Sequence, residues 1–147
     1  MLSFERRRLK IRSMKEEDVE FYYNHFNLSE EEKKQRVKET KKMVRKSIDS
    51  TPDKMLILIA TELENDNKLI GTILTKNIGT SRISMHITIP NESKEWAYGN
   101  DLIDQFIKIC KEEPFFQSIR YVKLDKENPT IRRYMQERKI SSVYVPV

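Results

Sequence analysis

The run Leu9-Lys10-Ile11-Arg12 sets two aliphatic residues on one side of an extended chain and two cations on the other, the period of a half-buried strand. Ser13-Met14-Lys15-Glu16 follows with the spacing of a capping box, which predicts a helix through Val19, Phe21, Tyr22 and Phe26. A second box, Ser29-Glu30-Glu31-Glu32, opens a charged segment reaching about residue 50. Its sparse apolar positions, Val37, Met43, Val44 and Ile48, predict a surface helix with a narrow buried stripe. Thr51-Pro52-Asp53 ends that helix, because Pro52 lacks an N–H and restricts the residue before it.

Strands are expected next. Residues 55–62 are rich in Leu and Ile, Glu64-Asn65-Asp66-Asn67 has turn chemistry, and Leu69-Ile70-Gly71-Thr72-Ile73-Leu74 reads as the returning arm of a hairpin. After a turn at Gly79-Thr80-Ser81, residues 82–89 alternate: Ile83, Met85, Ile87 and Ile89 point one way, and Arg82, Ser84, His86 and Thr88 the other. Residues 90–99 read as a loop, after which Leu102, Ile103, Phe106, Ile109 and Cys110 recur at helical spacing until near Pro114. Tyr121-Val122-Lys123-Leu124 is a strand reached through a helical crossover and so is expected to run parallel to its neighbour. Asn128-Pro129 opens a helix to about Arg138, and Val143-Tyr144-Val145 supplies a last strand.

This order predicts a single α/β (α+β) domain over residues 1–147, a mixed and mainly antiparallel central sheet of about six strands flanked by about four helices. No apolar run approaches the ~20 residues that cross a bilayer, and the basic N-terminus lacks an apolar stretch behind it. A cytoplasmic location without a membrane partner is therefore expected. The single cysteine, Cys110, lies on the apolar side of its helix and reads as core packing. Two histidines and one cysteine make no metal-ligand set. The net charge of +5 favours an anionic partner. Acidic residues interrupt the basic run between Lys33 and Lys46, as in a solvated helix face, and no nucleic-acid recognition motif is present.

The segment most suggestive of chemistry runs from residue 82 to residue 110. A glycine-bearing loop leading straight into a helix exposes unpaired N–H groups at the positive end of the helix dipole, a site for phosphate oxygens. Gly99 permits a sharp turn and close approach, Ala97 is small, and Lys94 adds a neutralising charge. Lys94-Glu95-Trp96-Ala97-Tyr98-Gly99 resembles the pyrophosphate-binding loop of Gcn5-related N-acetyltransferases, whose pattern is Arg or Gln, two variable residues, Gly, one variable residue, then Gly or Ala. Lys94, Ala97 and Gly99 stand at its three defined positions. Leu124-Asp125-Lys126-Glu127-Asn128-Pro129 followed by Tyr134 resembles the same family's strand end, Asn-rich turn and tyrosine-bearing helix. Here the spacing from Asn128 to Tyr134 is one residue shorter than the family's, and Arg138-Lys139 or Lys139-Ile140 replaces its Gly-Phe.

The resemblance implies an acetyl-CoA-dependent N-acetyltransferase that passes an acetyl group directly to a primary amine of an unidentified small molecule or peptide. It implies a cofactor site from Lys94, Glu95, Trp96, Ala97, Tyr98, Gly99 and Asn100, with the amides of 96–100 as phosphate donors and Asn128 nearby. Backbone groups of Ile87, Thr88 and Ile89 would hold the pantetheine arm and polarise the thioester carbonyl. Tyr134 would protonate the leaving thiolate, since a phenol keeps its proton at neutral pH. His86 and Glu62 are the candidate bases, and Tyr22, Tyr23 and Phe26 are either acceptor-cleft walls or core. The expected partners are acetyl-CoA or CoA and the amine, with a homodimer compatible. The alternative is a noncatalytic domain of the same fold that binds CoA or an anionic partner.

Overall fold

The computed structural model describes residues 2–49, 55–78, 80–90 and 92–147, with the backbone alone at 48–49 and 92–97. Seven strands form one sheet in strict chain order. They are β1 (Ser3–Arg6), β2 (Leu9–Ser13), β3 (Met55–Glu62), β4 (Asn65–Lys76), β5 (Arg82–Thr88), β6 (Tyr121–Leu124) and β7 (Tyr144–Pro146). Helices α1 (Glu16–Tyr23) and α2 (Glu30–Asp49) connect β2 to β3. Helix α3 (Glu92–Glu112) and a 3₁₀ turn connect β5 to β6, and α4 (Pro129–Arg138) connects β6 to β7. Every neighbouring pair is antiparallel except β5 and β6, the junction crossed by the long helix α3.

The helices cover both faces of the sheet. Ile83, Met85 and Ile87 of β5 join Phe106, Phe116 and Ile131 in one buried cluster, under α3 and α4. Val19 and Tyr22 of α1 and Val44 of α2 meet Ile57, Ile59 and Leu69 in a second, on the other face. The alternation read in residues 82–89 holds: Arg82, His86 and Thr88 are exposed while the intervening aliphatics are buried. The stripe expected on α2 is narrower still: Val44 is buried and Val37 half-buried, whereas Met43, expected within it, is exposed. Burial pushes the Cys110 thiol up to about 12, as suits a packing residue.

Five expectations change: α1 ends at Tyr23, short of Phe26, β4 already begins at Asn65 inside the expected turn, and three further elements differ. The sheet has a seventh strand, because β1 carries a single apolar residue, Phe4, and its hairpin turns through Arg7 at φ 57° with no glycine to mark it. Ser13 is the last residue of β2 rather than a helix cap. Its Oγ accepts from the Leu2 N–H at 3.0 Å, and α1 starts after Lys15, whose N–H donates to Asp18 at 2.8 Å. Residues 92–99, expected in a loop, belong to α3. The helix break at Thr51-Pro52-Asp53, the turn residue Gly79 and Asn91 lie outside the described residues.

Candidate functional site

Strands β5 and β6 pair from Arg82↔Tyr121 to Met85↔Leu124, and there the ladder stops. The chain after β6 folds into a tight turn, with the Glu127 N–H donating to Asp125 Oδ1 at 3.0 Å and the Asn128 N–H to the Asp125 carbonyl at 3.1 Å. β5 instead continues alongside β4 to the pair Thr72↔Thr88. A wedge opens between the two parallel strands. The Ile87 carbonyl faces it and accepts from Asn128 Nδ2 at 2.6 Å. Along a strand the N–H and C=O of one residue project to the same side, so the Ile87 N–H also faces the wedge, past the last rung.

Two helix starts flank this opening. Asn128 caps α4, its Oδ1 accepting from the N–H groups of Thr130 at 3.0 Å and Ile131 at 3.2 Å. Helix α3 begins at Glu92, so its unpaired donors lie at the start of its first turn, near Lys94. The amides of 96–100, expected to be free, fall inside the helix. Gly99 is helical too, and its role is steric: a Cβ there would lie 2.8 Å from Thr130 Cγ2, so the missing side chain lets α3 approach α4. The side chains of Lys94, Glu95, Trp96 and Ala97 lie outside the described residues.

The predicted side chains fall into three separate groups. On the α3–α4 seam, the buried Tyr134 hydroxyl donates to Asp104 at 2.7 Å, and Arg138 donates to the same carboxylate at 2.5 Å. Burial and then Asp104 hold the Tyr134 phenol well above its usual range. Asn100 donates to Glu137 on this seam. On the opposite face, His86 Nδ1 stands 3.8 Å from Asp125 Oδ2, beside a groove of about 590 Å³ that Ser84, Lys123 and Glu127 also line. At the far end of β3, Glu62 accepts from the Tyr98 hydroxyl at 3.2 Å and pairs with Lys68 at 3.4 Å, away from the His86 group.

Tyr22 of α1 belongs to the core, and Tyr23 and Phe26, the latter just past the helix, pack partly buried against it. Tyr22 and Phe26 meet edge to face at 5.0 Å, and Tyr23 bonds Thr40 of α2 at 2.8 Å. Only the Tyr22 hydroxyl reaches the sheet beside the site, accepting from Thr72 Oγ1 at 3.3 Å opposite Thr88. Asp104 and Asp125 were not singled out from the sequence. Asp125 lies in the Leu124–Pro129 run already noted, but what sets it apart is its meeting with His86 across two strands.

No family profile and no curated protein matches the chain by sequence. Solved structures do match it. A spermidine N-acetyltransferase chimera of Vibrio cholerae SpeG and hSSAT superposes with a TM-score of 0.63 at 18% identity, over 89% of this chain and 79% of that one. The Campylobacter jejuni N-acetyltransferase PseH gives 0.63 at 14% identity, over 92% and 89%. A ribosomal-protein-S5-alanine acetyltransferase from Vibrio fischeri gives 0.57 at 14%, over 93% and 81%. The chain has the Gcn5-related N-acetyltransferase fold.

Within that fold the C-terminal departures acquire a geometry. Lys139 adopts φ 56° as the C-cap of α4, the left-handed conformation that favours glycine, and the Ile140 N–H returns to the Met135 carbonyl at 2.9 Å. Lys139-Ile140 is therefore the pair that replaces Gly-Phe. Tyr134 is turned toward Asp104 of α3, and Met135 beside it is buried in the core.

Proposed function

We propose that the chain is an acetyl-CoA-dependent N-acetyltransferase that transfers acetyl directly to a primary amine. The observation that carries this reading is the wedge beyond Met85↔Leu124, where β5 presents the N–H and carbonyl of Ile87 to one opening. A thioester carbonyl set against backbone N–H donors there has its developing oxyanion stabilised. The carbonyls on the same edge suit the amides of a pantetheine arm, which would take over the Asn128 bond to Ile87. The first turn of α3, with Lys94, supplies donors and charge for the pyrophosphate. Attack by the amine forms the C–N bond, breaks the C–S bond and releases the thiol. Tyr134 is the acid of this reading, protonated throughout the neutral range and obliged to exchange Asp104 for the sulfur.

Calorimetric titration with acetyl-CoA and CoA tests it, with Lys94→Glu as the control because charge reversal opposes the phosphates. Micromolar binding weakened at least tenfold by the substitution is expected. No binding at millimolar acetyl-CoA would sink the reading. Acceptors to screen by thiol release are spermidine and peptides with an N-terminal alanine, after the amines in the names of the structural neighbours. The rotation of Tyr134 toward Asp104 favours one second reading, a noncatalytic CoA-binding domain, which would bind CoA and release no thiol with any acceptor.

A further inference from the structure

The groove on the His86 face runs along β5 and β6 as far as their last rung, Met85↔Leu124, and the turn that follows it. Ser84, His86 and Thr88 alternate toward this face of β5, and the last paired residues, Met85 and Leu124, line the groove floor with Ser84 and Lys123. His86 immediately precedes Ile87, so a group held at its ring lies beside the wedge but across the sheet from the helix starts. The imidazole and the Asp125 carboxylate are both partly exposed, at 48% and 39%. Asp125 is itself held in place, because its Oδ1 accepts from the Glu127 N–H and leaves Oδ2 for His86.

Resting on the transferase reading, we propose that Asp125 is a positioning residue for His86, and that the two together take the proton from an acceptor amine entering through this groove. A carboxylate at Nδ1 keeps the proton on that nitrogen, which leaves Nε2 bare and able to accept. The 3.8 Å gap exceeds hydrogen-bond length, and such pairs tighten when substrate arrives. The ammonium gives one proton to Nε2, and the neutral amine forms the C–N bond as the C–S bond breaks. Tyr134, the acid of that reading, gives its proton to the sulfur, the second proton on nitrogen restores the phenol, and His86 returns its own to solvent. Among the described residues, the other charges on this face near His86 are Lys76, two residues along from its partner Leu74 on β4, Lys123 on β6, and Lys126 and Glu127 in the turn. Glu62 is engaged by Tyr98 and Lys68 at the end of β3 and does not share the groove.

The test compares wild type, His86→Gln, Asp125→Asn and Asp125→Glu in thiol release from acetyl-CoA with spermidine and with a peptide bearing an N-terminal alanine. If neither amine is acetylated, water is the acceptor. Asp125→Asn keeps the oxygen that accepts from Glu127, so the turn survives the loss of charge. CoA affinity by calorimetry is expected to be unchanged in all three variants. For His86→Gln, kcat/KM near pH 7 is expected to fall by roughly 10²- to 10⁴-fold, the usual yield of a positioned base. The deficit should shrink toward pH 10 with the amines, which then neutralise themselves. Asp125→Asn should show a smaller deficit with the same pH shape, partly rescued by Asp125→Glu. An active wild type whose pH profile is matched by both His86→Gln and Asp125→Asn overturns the proposal and leaves the transferase reading standing. Failure of the wild type to bind acetyl-CoA removes both.

Discussion

Asn128 bonds through its two side-chain ends to different parts of the fold: Nδ2 donates to the Ile87 carbonyl at 2.6 Å, while Oδ1 caps α4. The residue thus ties the start of a helix to the strand edge where the sheet opens. Asn128→Ala removes both functions, and loss of the cap alone costs about 0.5–2 kcal/mol. The unpaired carbonyl adds about 1 kcal/mol. Asn128→Asp keeps the cap and loses only the donor, so it should be the milder change. Urea midpoints check the order; equal losses in both variants would show that the cap contributes nothing, and no loss in Asn128→Asp would show that the bond to Ile87 contributes nothing.

Gly99 and Thr130 set the distance between α3 and α4. A methyl group at 99 meets Thr130 Cγ2 at 2.8 Å, and forcing atoms into a packed contact costs about 1–3 kcal/mol. Gly99→Ala is therefore expected to destabilise by that amount, and adding Thr130→Ser, which deletes the opposing methyl, should recover part of it. A double variant no more stable than Gly99→Ala would place the strain elsewhere. Large substitutions at 99 disturb this contact, which makes them poor probes of phosphate binding.

Tyr134 contributes stability with a defined pH range. Its unfolded phenol ionises near pH 10, whereas burial and then Asp104 raise it in the folded chain. The unfolded state releases the proton first as pH rises. The contribution is therefore full below about pH 10 and declines above it as pH climbs through the raised folded value. Tyr134→Phe should cost about 1 kcal/mol at neutral pH, the yield of one hydrogen bond. Wild type and variant should converge in strongly alkaline solution. A stability difference constant from pH 7 to about 11 would rule out the coupling to Asp104.

The chain determines its elements locally wherever one residue's neighbours in sequence decide its environment. The alternation from Arg82 to Ile89, the apolar spacing from Leu102 to Cys110 and the Asn128-Pro129 cap needed no partner to be legible, because period and capping are properties of a single segment. β1 was hidden, since one buried phenylalanine among charges carries no periodic signal and the strand is stabilised only by pairing with β2. The end of the 90–99 segment was misread because Gly99 carries two opposite messages, turn former and close-contact residue. Only Thr130, distant in sequence, selects the second. The orientation of Tyr134, the meeting of His86 with Asp125 and the opening beyond Met85 likewise depend on residues far apart in sequence. Element type follows from short-range sterics and hydrogen bonding, which the sequence determines; the site follows from which elements the sheet order brings side by side, which the tertiary structure decides.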